Sequence, residues 1–485
     1  MTKTTILFLA GVAGLSVSAF AAARSVEPRA TPEPAPHKNR MAVVHGCWGD
    51  AQGHLSGGMF EIPETLTPGE PTGLDGFTGR GFDSDNRVDL VIVGDGYTAS
   101  EMGQFQLDAM SIADDFFRYE PFIRYEPYFR VTTVEVVSNQ SGVDNDPNPG
   151  ISRDTAMDMQ YWCGGTERLL CVNVSKARGF AFAGAPDVDQ ILAIANSSKY
   201  GGAGYSSNDL GTAAGQNASA VEIAIHEMGH SLGDLADEYT YGGPTNYSGG
   251  EPNAANLSLL TASQMASQES KWHEWLGASI AGFDNPVSTF EGGGYSANGI
   301  YRPSNNSMMR SLSRRFNLPS AEKLIREFYR EVSPIDAAPA NNLAFGIGDT
   351  VSIVPMRPNG QPLTIEWLVN GSVVQAAVGM ETVSAGDLGL SEGLQSVRVR
   401  VRDDISWIRS PGIQAAIEDS RTYFVEGCGA YADINRDHVL DLSDITAFVD
   451  GFISGQPTGD LAAPFGVFDL ADIAAFVGAF SAGCI

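Results

Sequence analysis

One segment of the chain combines two histidines and a glutamate at a spacing that could carry out chemistry. His226 and His230 lie four residues apart in Ala220–Leu232, a stretch that predicts a helix, so both imidazoles share one helix face. Two histidines placed in this way can bind one zinc ion, and Glu227 between them can take a proton from a water. Zinc makes that water acidic enough to attack a peptide carbonyl, and the same glutamate can protonate the leaving amine. The segment therefore predicts His226 and His230 as zinc ligands and Glu227 as the catalytic base.

The third zinc ligand is expected just after this helix. Gly233 allows a sharp turn, and Asp237 and Glu238 then offer carboxylate oxygens that zinc accepts. The motif is similar to that of the metzincin peptidases, whose third ligand would fall at position 236, where this chain has Ala236. We expect Asp237 to be the ligand if the turn is one residue longer, with Glu238 as the alternative. The carboxylate that is not a ligand could orient a histidine.

A second landmark is the methionine pair in Asn306-Ser307-Met308-Met309-Arg310. The segment resembles the Met-turn that forms an apolar floor beneath the metal in metzincins, and Met309 is the expected floor residue. Tyr295, Tyr301 and Arg302 precede it and could contact substrate or a developing oxyanion, although single polar residues of this kind are more often structural.

Further motifs accompany this site: Val93-Gly94-Asp95-Gly96-Tyr97-Thr98, Phe116-Phe117 with Glu120-Pro121-Phe122, Ser141-Gly142-Val143-Asp144, Asp154-Thr155-Ala156, Asn196-Ser197 with Tyr200-Gly201-Gly202, His226 to Tyr239, and Arg302-Pro303-Ser304 with Ser307 to Arg310. Their types and order resemble the IgA-peptidase family of bacterial metallopeptidases, metallopeptidase family 64, over residues 85–332. The resemblance implies a metzincin-like fold, one zinc ion and endopeptidase activity, without implying IgA as the substrate. One departure is the glycine after the zinc helix, which is expected where this chain has Asp234.

Composition narrows the class of partner. The 485 residues include 58 acidic and 30 basic side chains, a formal net charge of −28. Such a surface repels phosphate backbones and anionic lipid, which argues against nucleic-acid and membrane-surface partners. No stretch after the N-terminal apolar run is long enough to predict membrane insertion, and the zinc motif predicts a protein or peptide substrate.

The N-terminus predicts export. Lys3 precedes an apolar run from Ile6 to Val17, and Ala19-Phe20-Ala21 has the pattern of a signal-peptidase site. We therefore expect a signal peptide at 1–21, a flexible leader rich in Pro and Ala at 22–40, and a secreted or cell-surface protein.

Two folded regions are expected next. Residues 41–335 alternate strands and helices and predict an α/β metallopeptidase catalytic domain. In 341–427, short β-branched runs between turns predict a small Ig-like antiparallel β-sandwich, which we interpret as a spacer or stability module.

The last segment, 428–485, contains an internal repeat. Asp441 to Val449 returns as Asp469 to Val477, which predicts two similar short helices packed together. The preceding loop resembles the calcium loops of dockerins and EF-hands, although His438 replaces the usual glycine; its predicted calcium ligands are Asp433, Asn435, Asp437, Asp441 and Asp444. The alternative is that these acids are helix caps. In the dockerin-like interpretation, the segment could dock to a surface or partner.

The chain has five cysteines, and export permits disulfides. Cys163 with Cys171 and Cys428 with Cys484 are the expected pairs, which leaves Cys47 without an evident partner. Cys47 could ligate zinc in a latent form of the protein.

Two functions remain open from the sequence. The leading prediction is a secreted zinc-dependent endopeptidase that uses Glu227. The alternative is a non-catalytic surface-binding or adhesion protein with structural zinc and calcium sites. Glu227 favours the enzyme, because a structural metal site needs no general base.

Overall fold

The structure is a computed structural model that describes residues 41–49, 55–63, 74–80, 86–240, 245–284, 286–346, 348–390, 395–426, 432–435 and 440–482. The predicted signal peptide, leader, Cys428–Cys484 pair and Asp437 lie outside these residues, as does the side chain of Cys47. Among the residues described, no helix combines the length and apolar character needed to cross a membrane.

The region predicted to be catalytic, residues 41–335, is built on a mixed sheet. Its strands are β1 (Met41–Gly49), β2 (Leu55–Pro63), β3 (Leu74–Arg80), β4 (Val88–Asp95), β5 (Phe129–Val136), β6 (Gln190–Ala195), β7 (Gly202–Tyr205) and β8 (Leu210–Ala214). Within the described residues their order is β2-β1-β7-β8-β6-β4-β5-β3. Strands β8, β6, β4 and β5 are parallel, whereas β7 and β1 extend one side of the sheet in antiparallel pairs.

Helices cover both faces of this sheet. The helices of this region are α1 (Met102–Phe116), α2 (Val174–Gly184), α3 (Ala220–Ser231), α4 (Ala262–Gln268) and α5 (Leu318–Glu331). Leu90 and Ile92 of β4 pack in the core that contains α1, α3 and α5, while Val91 and Val93 pack in the core that contains α2. This alternation is why β4 reads as a continuous apolar run, since both of its faces are buried.

A hairpin lies between α4 and α5, formed by β9 (Phe290–Gly293) and β10 (Ser296–Arg302). It brings the segment before the methionine pair beside the chain that follows α3, because Gly294 N donates to Asp237 O and Tyr295 N to Tyr239 O.

The C-terminal part contains a further sheet and two final helices. The remaining elements are β11 (Ile335–Ala337), β12 (Ala344–Gly346), β13 (Thr350–Ser352), β14 (Val354–Pro355), β15 (Leu363–Val369), β16 (Ser372–Val373), β17 (Thr382–Ser384), β18 (Gln395–Asp403), α6 (Pro411–Ala416), β19 (Glu418–Glu426), α7 (Leu442–Ser454) and α8 (Leu470–Ala482). Among the described residues the larger sheet has the order β12-β19-β18-β15-β16, with β12 parallel to β19 and the other pairs antiparallel.

The local predictions agree well with these elements. The strands expected near 350, 364 and 396 are β13, β15 and β18, and the repeat forms α7 and α8. Phe448 and Phe476 occupy equivalent positions of the repeat and stack with ring centroids 4.2 Å apart. The Cys163–Cys171 disulfide is also present. The domain boundaries and the β-sandwich remain predictions; the structure shows mixed α/β architecture with several sheets.

Candidate metal centre

Helix α3 lies directly against β7 because glycines line the strand. A Cβ added at Gly204 would lie 2.9 Å from Glu227 Oε2 and 2.9 Å from His230 Cβ, and one at Gly202 would lie 3.1 Å from Glu227 Oε1. A larger residue at either position would push the strand off the helix. His226, Glu227 and His230 are fully buried as a result, with Glu227 enclosed between α3 and the sheet.

Three side-chain atoms converge at one point beside α3. His226 Nε2 and His230 Nε2 are 3.2 Å apart, and Asp237 Oδ1 lies 3.1 Å from the first and 3.2 Å from the second. Metal–ligand bonds of about 2.0–2.1 Å in a tetrahedral zinc site place the ligand atoms roughly 3.3 Å apart. The donor set therefore fits a zinc ion in both chemistry and spacing.

Backbone carbonyls orient both imidazoles. His226 Nδ1 is 2.9 Å from Met308 O, and His230 Nδ1 is 2.7 Å from Leu235 O. A carbonyl can only accept, so each Nδ1 carries the proton and each Nε2 keeps its lone pair for a metal.

Charge in this cluster favours cation binding. Burial opposes the ionisation of Asp237, but the imidazoles outweigh it and hold the pKa of that carboxyl well below its usual range. Burial also opposes charge on His226, yet the Asp237 carboxylate raises the pKa of His226. Burial lowers the pKa of His230 to about 4, and the nearby His45 acts in the same direction. The ionised Asp237 and the neutral His230 favour a cation, whereas His226 has to release any proton that it carries when the cation binds.

The two candidate carboxylates have separate surroundings. Asp237 Oδ1 faces the histidines, while its Oδ2 accepts a hydrogen bond from Tyr295. Glu238 instead accepts from Asn256 Nδ2 at 2.9 Å, Asn317 Nδ2 at 2.7 Å and Ser307 Oγ at 2.7 Å. The structure therefore brings Asp237, and not Glu238, to the two imidazoles.

The turn after α3 differs from the sequence-based expectation. The sequence predicts that Gly233 allows the sharp turn, but the residue with left-handed backbone is Asp234, at φ +48°. Aspartate tolerates this region better than most residues, which explains how it occupies the position where the family resemblance leads one to expect glycine. Gly233 is instead confined by space, since an added Cβ would lie 2.8 Å from Gly229 O.

The methionine pair lies beneath α3 and is fully buried. Met309 packs so closely on the helix that a Cβ at Gly229 would be 2.5 Å from Met309 Sδ, and Met308 supplies the carbonyl that orients His226. Met309 therefore packs against α3, and its role as an apolar floor beneath a metal stays a prediction.

Of the three residues predicted to contact substrate or an oxyanion, one lies at the cluster and two lie in the β9–β10 hairpin. Tyr295 contacts Asp237 and so positions that carboxylate. Arg302 donates to the carbonyls of Glu291 and Gly292, both at 2.7 Å, and Tyr301 pairs with Ser258 through its backbone. Arg302 and Tyr301 therefore serve the β9–β10 hairpin.

Two further residues, which the sequence does not predict, lie beside the cluster of His226, His230 and Asp237. The side-chain amide of Asn256 holds the backbone of Ala236: its Oδ1 accepts from Ala236 N at 2.9 Å, and its Nδ2 donates to Ala236 O at 2.7 Å. His45 of β1 stacks on His230 with ring centroids 4.0 Å apart, and forms a group of possible ligands with His230 and Asp237. Neither residue lies at a recognisable spacing from α3, so no local pattern could have identified them.

The predicted calcium loop shows backbone capping by its acidic residues. Asp444 is buried and accepts from Asn435 N at 3.2 Å and Asp441 N at 3.0 Å, and Asp441 accepts from Ser443 N at 2.7 Å at the start of α7. Asp433, at the start of the loop, is also buried. Asp437 lies outside the described residues. Calcium binding here stays a prediction.

Comparison with known proteins gives one family. Residues 79–282 match the family model described as IgA Peptidase M64, and a search among curated proteins found no match. The matched residues include α3 and Asp237 but neither His45 nor Met309. The match supports the resemblance stated from the sequence and indicates a peptidase.

Proposed function

We propose that this chain is a secreted, zinc-dependent endopeptidase with a metzincin-like catalytic region. The observation that carries the proposal is the triangle formed by His226 Nε2, His230 Nε2 and Asp237 Oδ1, with sides of 3.1–3.2 Å, next to the buried Glu227. Secretion rests on the signal-peptide pattern at 1–21.

His226, His230 and Asp237 would hold the zinc. When bound, zinc would act as a Lewis acid that polarises a peptide carbonyl and increases the acidity of water. The Met308 and Leu235 carbonyls keep the imidazoles in the ligand tautomer.

Glu227 performs the proton transfers in this mechanism. Its carboxylate takes a proton from the attacking water as the new C–O bond forms, and gives that proton to the amine nitrogen as the C–N bond breaks. The glycines of β7 enclose the Glu227 carboxylate against α3 and so hold it in position beside His230.

The C-terminal regions have proposed roles of their own. We assign calcium to the first loop of the dockerin-like repeat and a docking role to that module, with the β-rich region as a spacer. The rival function, a non-catalytic binding protein with structural metal sites, differs from the proposal in one measurable property, since it predicts metal binding without peptide hydrolysis.

The test compares casein hydrolysis and zinc content in the wild type and in Glu227→Gln, with Glu222→Gln on the same helix as a control. Wild type should contain stoichiometric zinc and cleave casein, and o-phenanthroline should stop it. Glu227→Gln should keep zinc and lose about 10²–10⁴-fold in rate, the typical contribution of a general base. Glu222→Gln should match wild type. Absence of zinc from the wild type, or equal rates for Glu227→Gln and wild type, would contradict the proposal.

A further inference from the structure

Strand β1 occupies the side of the sheet that borders the metal centre. It pairs antiparallel with β7, with His45 opposite Gly204, and its other side pairs with β2. An extended peptide binds a protein by adding a strand to such a sheet edge. In this structure a segment of the chain itself already occupies the edge of β7.

The register directs the His45 side chain at the metal ligands. Directly opposed residues of an antiparallel pair point to the same face of the sheet, and the missing Cβ of Gly204 would point at Glu227 and His230. The His45 ring accordingly stacks on His230 at 4.0 Å with an interplanar angle of 18°, and its Nδ1 lies 3.6 Å from Asp237 Oδ2.

The His45 imidazole is largely buried beside Asp237. Its side chain is 13% exposed, and among the described residues its buried Nδ1 has no hydrogen-bond partner. The 3.6 Å separation from Asp237 is longer than a hydrogen bond. An imidazole nitrogen that is buried beside two metal-ligand candidates is placed to bind the same ion.

We propose that the β1–β2 hairpin is an internal inhibitor, in which β1 blocks the sheet edge and His45 ligates the catalytic metal. The inference rests on the proposed function and adds its regulation. A catalytic zinc has three protein ligands and keeps one position open, whereas a fourth protein ligand produces the closed arrangement of structural sites. Displacement or excision of the hairpin opens the metal and the edge of β7 together.

The extent of the family match supports this division of roles. The matched residues start at 79, after the hairpin, and include His226, His230 and Asp237. The match therefore covers the three proposed zinc ligands, whereas His45 lies before it in the β1–β2 hairpin.

The first experiment measures coordination directly. The full chain is loaded with Co²⁺ in place of zinc, and visible absorption and the affinity for acetohydroxamate are compared in wild type, His45→Ala, His45→Phe and the control His273→Ala. Phenylalanine can keep the stack on His230 but offers no ligand atom. Both His45 variants should show a changed cobalt spectrum and bind acetohydroxamate at least tenfold more tightly than wild type, and His273→Ala should behave as wild type.

The second experiment needs no substitution of His45. A site-specific protease sequence is inserted between Pro63 and Leu74, and the same protein is assayed on casein before cleavage and after removal of the released fragment. Excision should raise the rate at least tenfold. His45→Phe without excision should remain slow, because β1 still covers β7.

The outcomes separate the two proposals. Identical cobalt spectra and hydroxamate affinities in wild type and both His45 variants, or an unchanged casein rate after excision, would overturn the inhibitor proposal and leave the peptidase in place. Failure of the wild type and of the excised protein to bind either metal would overturn the proposed function itself.

Discussion

Asp237 and Glu238 are neighbours in sequence, yet their carboxylates meet opposite kinds of partner. Asp237 faces two imidazole nitrogens that carry lone pairs, so a cation between them is favourable. Glu238 is surrounded by amide and hydroxyl donors of Asn256, Asn317 and Ser307, which neutral hydrogen bonds satisfy without a metal. The adjacent carboxylates should therefore respond differently to the same amide substitution.

We expect Asp237→Asn to weaken zinc binding by more than about 100-fold, which is the upper range for loss of an outer-shell partner. Glu238→Gln should keep stoichiometric zinc but lower the free energy of unfolding by about 1–3 kcal/mol, because an amide group then faces other donors. Competition with a chelator and urea unfolding measure the two quantities. A folded Glu238→Gln protein without zinc would show that the ligand assignment is reversed.

Asp189 provides a pH-dependent prediction at the same scale. Burial raises its pKa to about 6, and the nearby Glu331 and Asp89 carboxylates act in the same direction. Because the pKa of Asp189 is higher in the folded protein than in the unfolded chain, the protonated carboxyl contributes to the free energy of unfolding. This contribution is complete below about pH 4 and is lost as the pH rises through about 6.

Asp189→Asn should therefore stabilise the protein by about 1–2 kcal/mol at pH 8, after allowance for solvent screening, and by little at pH 4. The asparagine side-chain oxygen can still accept the hydrogen bond from Asp89 N. Thermal unfolding across this pH range is the measurement, with the exposed Asp187→Asn as control. An equal effect of Asp189→Asn at both pH values would contradict this explanation.

At the scale of elements, α3 is held between a glycine-lined strand and the methionine pair. Gly204 lets β7 approach one side of the helix, and Gly229 lets Met309 approach another. Two close contacts, both possible only at glycine, therefore restrain the helix that carries the candidate metal ligands.

The contact between Met309 and α3 predicts that the loss of stability increases with the amount of side chain removed at position 309. Met309→Ala should cost about 2–4 kcal/mol of unfolding free energy, because it leaves a cavity under α3, whereas Met309→Leu should cost less than about 1.5 kcal/mol. Urea unfolding of the metal-free proteins measures this difference without a contribution from zinc. Equal costs for the two substitutions would argue against the packing role.

At the scale of the whole molecule, the C-terminal part shares a buried core with the predicted catalytic region, residues 41–335. Ile405, Trp407 and Ile417 belong to the same buried cluster as α3 and α5. Asp403 is fully buried at this junction and accepts hydrogen bonds from Tyr125 at 2.6 Å and Tyr329 at 2.8 Å. A shared core of this kind should make the two parts unfold together.

Calorimetry should therefore show one unfolding transition for the catalytic and β-rich regions. Asp403→Ala should lower its stability by about 2–4 kcal/mol, because two buried tyrosine hydroxyls lose their acceptor. The exposed Asp404→Ala is the matched control. Two separated transitions in the wild type would show that the regions fold independently.

Local chemistry in the sequence was enough to determine the elements and much of the candidate site. The apolar run at 88–93 and the helical spacing of His226 and His230 predict β4 and α3, since both patterns depend only on the local period of the chain. The repeat in the last segment likewise predicts α7 and α8.

Only the tertiary structure decided which groups surround the two histidines. Two adjacent carboxylates are equivalent by residue type, and the choice between them depends on Tyr295, Asn256 and Asn317, which reach them from distant segments. His45 arrives on another strand through the pairing of β1 with β7. Contacts of this kind follow no sequence period, because they depend on how whole elements pack.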